Sequence, residues 1–259
     1  MIQFAKKYTK TILFFAIVGL IGGFFTGLYI LEMYPDEIRQ QLINELDAMG
    51  LSQIPHSVIL GLITAVQSAG YGLFFGIFGI VISKKIGLWK DERSLTLKPM
   101  IATIVISILC GLLLIYPDLF FFGKYSDVIM DSYATKPSIP YILASVTYGA
   151  VIEEVMMRLF FMSLIALILN KLFGDEDKPT AKILIVSNVI SALLFAAGHL
   201  PINLTTIGSS PLIIFRCFLL NGIGGILFGY LYRKYGLRYA MLAHGGAHIV
   251  SKLIWILFI

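Results

Sequence analysis

Among the ionisable side chains that interrupt the apolar runs of this 259-residue sequence, six form a set that could activate water or bind a metal ion. They are Glu153, Glu154, Arg158, His199, His244 and His248. Glutamate and histidine are common general acids and bases acting on a bound water molecule. The same side chains also ligate zinc, which can activate the water instead. The six residues therefore indicate hydrolysis by one of two chemistries.

The two glutamates have different neighbours if the stretch GAVIEEVMMRLF, residues 149–160, is helical. Glu154 and Arg158 are four residues apart, so their side chains meet on one helix face. Glu153 and Arg158 are separated by about 140° around the helix, which disfavours contact. We therefore predict that Arg158 neutralises Glu154, and that Glu153 is left without a cationic partner and can exchange a proton with water.

The histidines allow two arrangements around Glu153. His244 and His248 in HGGAH are four residues apart on one helix face, and His199 in FAAGHLP precedes Pro201, which is expected to end that helix. In the first arrangement Glu153 and His199 activate a water while His244 and His248 donate to the oxyanion. In the second, His199, His244, His248 and Glu153 hold zinc. The spacing does not choose between them.

The composition is that of a membrane protein. Hydrophobic residues make up 58% of the sequence and charged residues 14%, against about 25% in soluble domains. The mean hydropathy is +0.87. Long continuous apolar runs predict an all-α fold, a polytopic transmembrane helical bundle of about seven to eight membrane helices with the active site inside it.

The net charge of +5 indicates no nucleic-acid partner, because lysine and arginine cluster in the loops between the apolar runs. This distribution follows the positive-inside rule and predicts an integral membrane protein with a cytoplasmic N-terminus. The prokaryotic plasma membrane is the expected location. Seven runs are long enough to span a bilayer. They lie near 11–31, 57–82, 100–117, 139–170, 183–200, 211–231 and 238–259.

No linker or repeat divides the chain, so residues 1–259 are predicted to form a single membrane domain, with the catalytic core at 139–250. The polar segment 35–50 suits a short helix on the membrane surface. Three pairs of glycines four residues apart predict close helix packing in lipid. The pairs are Gly23/Gly27, Gly72/Gly76 and Gly225/Gly229.

Three further side chains in apolar runs are predicted to serve packing or local bonding rather than catalysis. Phe195 is expected to pack between helices. Arg216 is expected to extend its charge towards the membrane interface. Asn221 is expected to hydrogen-bond across to another helix.

Three motifs occur in order on predicted membrane helices: EEVMMR at 153–158, FAAGH at 195–199 and HGGAH at 244–248. They resemble the EExxxR, FxxxH and HxxxN or HxxxD pattern of the CPBP intramembrane proteases, also called the Abi or type II CAAX endopeptidase family. The similarity covers residues 139–250. His248 departs from the pattern, because the family has Asn or Asp at that position.

The resemblance implies that Glu153 is the catalytic glutamate and that His199 is its partner on the water. It also implies an oxyanion role for His244 and supporting roles for Glu154 and Arg158. A neutral imidazole can donate one hydrogen bond, so His248 is consistent with the oxyanion site, although a second histidine also suits zinc. The metal-free glutamate mechanism, with no cofactor, is favoured over a zinc-dependent one.

The expected partners are the lipid bilayer and a peptide or membrane-anchored protein substrate, with either a prenylated CAAX tail or a secreted peptide precursor as candidates. Two other classes stay open. A proton-coupled transporter also places Glu, Arg and His inside a membrane, but the sequence has no inverted repeat to favour it. The other is a membrane immunity or scaffold protein that uses this fold without catalysis.

Overall fold

The computed structural model describes residues 2–90, 95–174 and 177–259, with side chains from residue 7 onward. Every regular element in these residues is a helix, so the predicted all-α fold class is confirmed. The α-helices, numbered in chain order, are α1 Ile2–Met33, α2 Asp36–Ala48, α3 His56–Lys85, α4 Leu97–Leu113, α5 Tyr116–Phe120, α6 Asp127–Asp131, α7 Ile139–Ala144, α8 Ser163–Phe173, α9 Ala181–Thr206, α10 Pro211–Tyr235 and α11 Leu237–Phe258.

Six helices in the described residues are long and apolar enough to cross a membrane, and they coincide with six of the seven predicted runs. They are α1, α3, the region of α4 as far as Lys124, α9, α10 and α11. Their outer faces expose many large apolar side chains, such as Val66 and Ile101, as a lipid-facing surface requires. The chain is therefore an integral membrane bundle.

The remaining predicted span, 139–170, is helical throughout but changes its type along its length. After α7 come two π-helical stretches, Ser145–Glu153 and Val155–Met162, before α8 completes the segment. A π-helix is rare and is frequently found at functional sites. Together these elements form one long helical segment with charged residues near its middle, which we call the fourth segment (residues 139–173). The described residues thus contain six helices that are long and apolar enough to span a membrane, and the fourth segment is helical over the seventh predicted run.

Small residues set how closely the helices approach. An added Cβ at any of the six predicted glycines would lie less than 3.0 Å from a neighbouring atom. At Gly27 it would be 2.3 Å from the Leu60 carbonyl oxygen, where α1 packs along α3. At Gly229 it would be 1.8 Å from Asn188, where α10 packs along α9. The predicted close packing is confirmed.

The prediction that Pro201 ends its helix is wrong, because α9 continues to Thr206. Side chains around the proline provide donors to the backbone carbonyls there. Asn203 Nδ2 donates to the His199 carbonyl at 2.8 Å, and Thr205 Oγ1 donates to the Pro201 carbonyl at 2.9 Å. His199 therefore lies within a continuous helix.

The predicted surface helix over 35–50 is present as α2, Asp36–Ala48. His56, the first residue of α3, ties it to the bundle through a 2.8 Å contact between Nε2 and Asp47 Oδ1. The apolar core lies elsewhere, around the fourth segment. Its side chains Val155, Leu159 and Met162 are fully buried against the inner faces of the surrounding helices. The core thus encloses the part of the chain that carries the glutamates.

Candidate active site

The predicted pair of Glu154 and Arg158 is present and sealed from solvent. Arg158 Nε lies 3.3 Å from Glu154 Oε2, and both side chains are completely buried. Arg158 also donates from Nη1 to Ser191 Oγ on α9 at 3.1 Å, and its guanidinium lies over the ring of Phe195. Two helices therefore hold this charge in place through an ion pair, a hydrogen bond and a cation–π contact.

Glu154 also fixes His244. The His244 Nδ1 atom lies 3.0 Å from Glu154 Oε1, on the side of the carboxylate that does not face Arg158. The imidazole is stacked between the ring of Phe228, 4.7 Å away, and that of His248, 5.0 Å away. The Glu154 carboxylate oxygen can accept a hydrogen bond from Nδ1 of His244, and the Nε2 atom of the same ring faces Glu153.

Glu153 is close to two histidines but bonded to neither. Its Oε1 lies 4.0 Å from His199 Nε2, and its Oε2 lies 3.9 Å from His244 Nε2. These separations exceed a direct hydrogen bond and fit a bridging water. About 20% of the Glu153 side chain is exposed, whereas Glu154 has no exposed surface. Water can therefore reach the carboxylate of Glu153 but not that of Glu154.

The hydrogen bond of His199 determines what can lie between it and Glu153. Its Nδ1 is 2.9 Å from the Phe195 carbonyl oxygen, which can only accept, so Nδ1 carries the hydrogen. In the neutral ring, Nε2 is then an acceptor and faces the Glu153 carboxylate, which is also an acceptor. A molecule that donates two hydrogen bonds is needed between them, and water is the smallest that does so.

A cavity of about 40 Å³ opens beside these groups, large enough for at least one water molecule. Its walls come from α4, α9, α10 and α11 and include His199, His244 and His248. The Nδ1 atom of His248 is buried without a hydrogen-bond partner. Asn221 also lines the cavity, but its Nδ2 donates to Cys217 in its own helix, so the predicted bond to another helix is not observed.

Two phenylalanines have a larger part in the site than the sequence indicated. Phe195 packs edge-on against His199 and His244 and lies beneath Arg158, so it contacts three of the six candidate residues. Phe228 stacks on His244. The spacing of Phe195 four residues before His199 was the available signal for the first. Nothing local marks Phe228, because its role depends on how α10 packs against α11.

A second buried polar network lies next to His199. Arg216 does not extend to the interface as predicted, but forms a two-pronged pair with Asp118, with N–O distances of 2.6 and 2.5 Å. Arg216 also donates to Asn203, the residue that caps the His199 carbonyl. Tyr133 donates to Asp118 at 3.0 Å, and burial, followed by that negative charge, raises the pKa of its hydroxyl. The network therefore links the loop before α7 to the helix of His199.

Zinc binding would require three or four of the candidate residues to converge on one point. The residues that the structure describes contain no group of three His, Cys, Asp or Glu side chains placed to share a metal ion. The zinc-dependent alternative, with His199, His244, His248 and Glu153 as the ligands, stays a prediction.

Comparison with known proteins identifies a family over the same part of the chain. Residues 135–250 match the family described as Type II CAAX prenyl endopeptidase Rce1-like. This range runs from just before α7 into α11 and contains all six candidate residues, so the resemblance seen in the three motifs is confirmed. No curated protein and no solved structure matches the chain. The match supports a membrane peptidase of the CAAX endopeptidase type as the general class.

The sealed pair of Glu154 and Arg158 should dominate the stability of the site. Replacing Arg158→Met leaves a buried carboxylate without its cation and should lower the free energy of unfolding by about 3–5 kcal/mol. Arg39 provides a control, because its pair with Asp36 is exposed on α2, and Arg39→Met should cost no more than about 1 kcal/mol. Unfolding in detergent measures both. Equal losses in the two variants would contradict a dominant role for the buried pair.

Proposed function

We propose that the protein is an intramembrane endopeptidase that hydrolyses a peptide bond with a water activated by Glu153 and His199. The observation that carries the proposal is the meeting of Glu153 with His199 and His244 at 4.0 and 3.9 Å inside the bundle. The three residues come from the fourth segment, α9 and α11, which are far apart in sequence. They surround a space that suits one water beside the cavity.

In the first step the water donates one hydrogen bond to Glu153 and the other to His199 Nε2. Both of its hydrogens are then held, and an oxygen lone pair is directed at the substrate carbonyl. As the new carbon–oxygen bond forms, Glu153 takes a proton from the water. His199 accepts the hydrogen bond from the water at Nε2. It can do so because the ring hydrogen is on Nδ1, which donates to the Phe195 carbonyl oxygen.

The tetrahedral intermediate carries a negative oxygen that must be stabilised by donors fixed in advance. We assign this role to His244 and His248. With protons on both ring nitrogens, His244 donates from Nδ1 to Glu154 and from Nε2 to the oxyanion. His248 adds a second donor from the next turn of α11, where the family pattern has Asn or Asp. The Glu154–Arg158 pair acts through His244 by holding its ring in position.

The carbon–nitrogen bond then breaks. Glu153 returns its proton to the leaving nitrogen, which departs as an amine. The remaining hydrogen of the attacking water stays on the new acid and is released to solvent. One water is consumed and one carboxylate and one amine are produced, so Glu153 acts first as a base and then as an acid.

The substrate we propose is a peptide or membrane-anchored protein, with a prenylated CAAX tail or a secreted peptide precursor as the two candidates. The family description favours the CAAX tail.

We also propose that the N-terminus faces the cytoplasm, because the basic loops fall on its side of the bundle. A tag at the N-terminus should resist protease added to intact cells stripped of their wall. Digestion of that tag would show that the N-terminus faces outward.

Replacing Glu153→Gln should remove the base while leaving the buried ion pair intact, so cleavage should fall by about 10²- to 10⁴-fold in a folded protein. Mass spectrometry of a prenylated peptide incubated with the purified protein measures the rate. Glu37→Gln, an exposed change on α2, is the matched control and should cleave normally.

The same pair of variants separates the other classes. A scaffold or immunity protein would retain partner binding or its immunity phenotype in Glu153→Gln and would cleave nothing in either form. Proton flux into proteoliposomes that is lost in Glu153→Gln would instead identify a transporter. Cleavage by the Glu153→Gln variant at the wild-type rate would rule out the mechanism given above.

We propose that the hydrolysis needs no metal or other cofactor. Treatment of the purified protein with a strong chelator, followed by removal of the chelator, should therefore leave the cleavage rate unchanged within error. Elemental analysis of the same sample checks that bound zinc is absent. A rate that falls on chelation and returns with added zinc would support the metal-dependent alternative.

A further inference from the structure

Two of the helices that flank the fourth segment touch it at one level and separate from it further along. On α9, Ser191 Oγ donates to the Met157 carbonyl of the fourth segment at 2.7 Å. Gly198 is exposed and lies about two turns later on the same helix face. An added Cβ there would have no atom of the described residues within 4 Å, apart from the adjoining part of its own helix. An open space therefore lies beside Gly198, between α9 and the fourth segment.

The same change occurs along α3. The rings of Phe74 and Phe75 lie 6.2 and 5.0 Å from that of Phe160 in the fourth segment. Gln67 lies about two turns before Phe74 on the same face of α3, and it is exposed. The helices α3 and α9 are therefore the two walls of a cleft whose floor is the fourth segment. We call this space the α3–α9 cleft, and its bordering residues are Gln67, Tyr71, Glu153, Gly198 and His199.

The proposed water-activating residues are exposed at this cleft. His199 directly follows Gly198 in the chain, and 31% of its side chain is exposed, against 20% for Glu153. At about 1.5 Å per residue, Gln67, Glu153 and His199 each lie within about 8 Å of the middle of their helical segments. The cleft therefore reaches the active site near the middle of the membrane.

Gln67 is a polar residue exposed in the middle of a membrane-spanning helix. Hydrocarbon cannot satisfy an amide, so polar side chains within membrane segments usually face a cavity or the bundle interior. The Nε2 atom of Gln67 donates to the Tyr71 hydroxyl at 2.7 Å, which uses one of its two N–H groups. Within the described residues the side chain makes no other hydrogen bond, so Oε1 and the second N–H are available to a ligand.

Tyr148 connects this polar pair to the active site. It lies in the fourth segment, close enough to both Tyr71 and Glu153 to interact electrostatically with each. Polar groups therefore lead from Gln67 through Tyr71 and Tyr148 to Glu153, although the helices that carry them are otherwise largely apolar. Such a row suits a polar chain that lies in the cleft better than it suits lipid.

We propose that the α3–α9 cleft holds the substrate peptide and that the Gln67 amide binds its main chain. The inference rests on the proposed function and specifies where the peptide lies. A peptide unit offers one N–H donor and one carbonyl acceptor, and the available oxygen and N–H of the glutamine amide match both. This pairing does not read side chains, so Gln67 supplies affinity for an extended chain while Glu153 and His199 act on the bond that is cut.

Cysteine labelling tests whether the cleft is open to water and to peptide. In the Glu153→Gln background, Gly198→Cys places a thiol in the cleft, and both native cysteines are buried. Val66→Cys is the control, because Val66 is exposed on a different face of α3 from Gln67. A charged thiol reagent on both sides of proteoliposomes should modify Gly198→Cys about 10-fold faster or more, since the reactive thiolate forms poorly in apolar surroundings. The prenylated peptide should slow that reaction.

Binding measurements test the role of Gln67. The prenylated peptide, and versions with one main-chain nitrogen methylated at a time, are bound to the full-length Glu153→Gln protein in detergent. Gln67→Leu should weaken binding of the unmodified peptide by about 3- to 10-fold, as for one or two lost hydrogen bonds. One methylated position should weaken binding to the parent by a similar factor and should have no further effect in Gln67→Leu. Val66→Leu is the matched control and should bind like the parent.

Equal labelling of the two cysteines, or labelling that the peptide does not slow, would overturn the cleft as the binding site. Parent-like binding by Gln67→Leu, or an unchanged response to every methylated position, would overturn the assignment to Gln67. Unfolding midpoints identify folded variants, and Gln67→Met replaces Gln67→Leu if the latter is unstable. Failure of the proposed function looks different, because the peptide would still bind and protect Gly198→Cys while the wild-type protein cleaved nothing.

Discussion

The carboxylate of Glu154 is the centre on which the site depends, because its two oxygens are engaged in opposite directions. One meets the guanidinium of Arg158 and the other orients His244, and none of the carboxylate is exposed. A buried charge of this kind is tolerable only if its partners are fixed, and the partners lie on different helices. The bundle must therefore assemble correctly before the neighbouring Glu153 faces its two imidazoles.

Much of this could be predicted from the sequence, since helix periodicity and the length of apolar runs are local properties. The membrane runs, the pairing of Glu154 with Arg158 and the close contacts of the glycines all follow from spacing along one chain segment. The relation between Glu153 and the histidines was left open, because the spacing of these residues does not choose between a shared water and a zinc site. The family resemblance supplied what periodicity could not.

What could not be predicted depends on which helices are neighbours. Arg216 finds Asp118 from a distant part of the chain, and Phe228 stacks on His244 only because α10 packs beside α11. The continuation of α9 through Pro201 to Thr206 could not be predicted either, because a proline in the sequence indicates a helix end. The π-helical stretches Ser145–Glu153 and Val155–Met162 likewise have no signal in the hydrophobic pattern.

Those π-helical turns make the length of the fourth segment as constrained as its residue types. Two residues of this segment, Tyr141 and Glu154, contact residues of the same helix, because Lys252 and His244 both lie on α11. Each residue added to or removed from a helix changes its angular phase by about 100°. A single insertion or deletion here would rotate one half of the segment away from α11 while leaving every side chain chemically intact. Evolution of this region should therefore proceed by substitution at constant length.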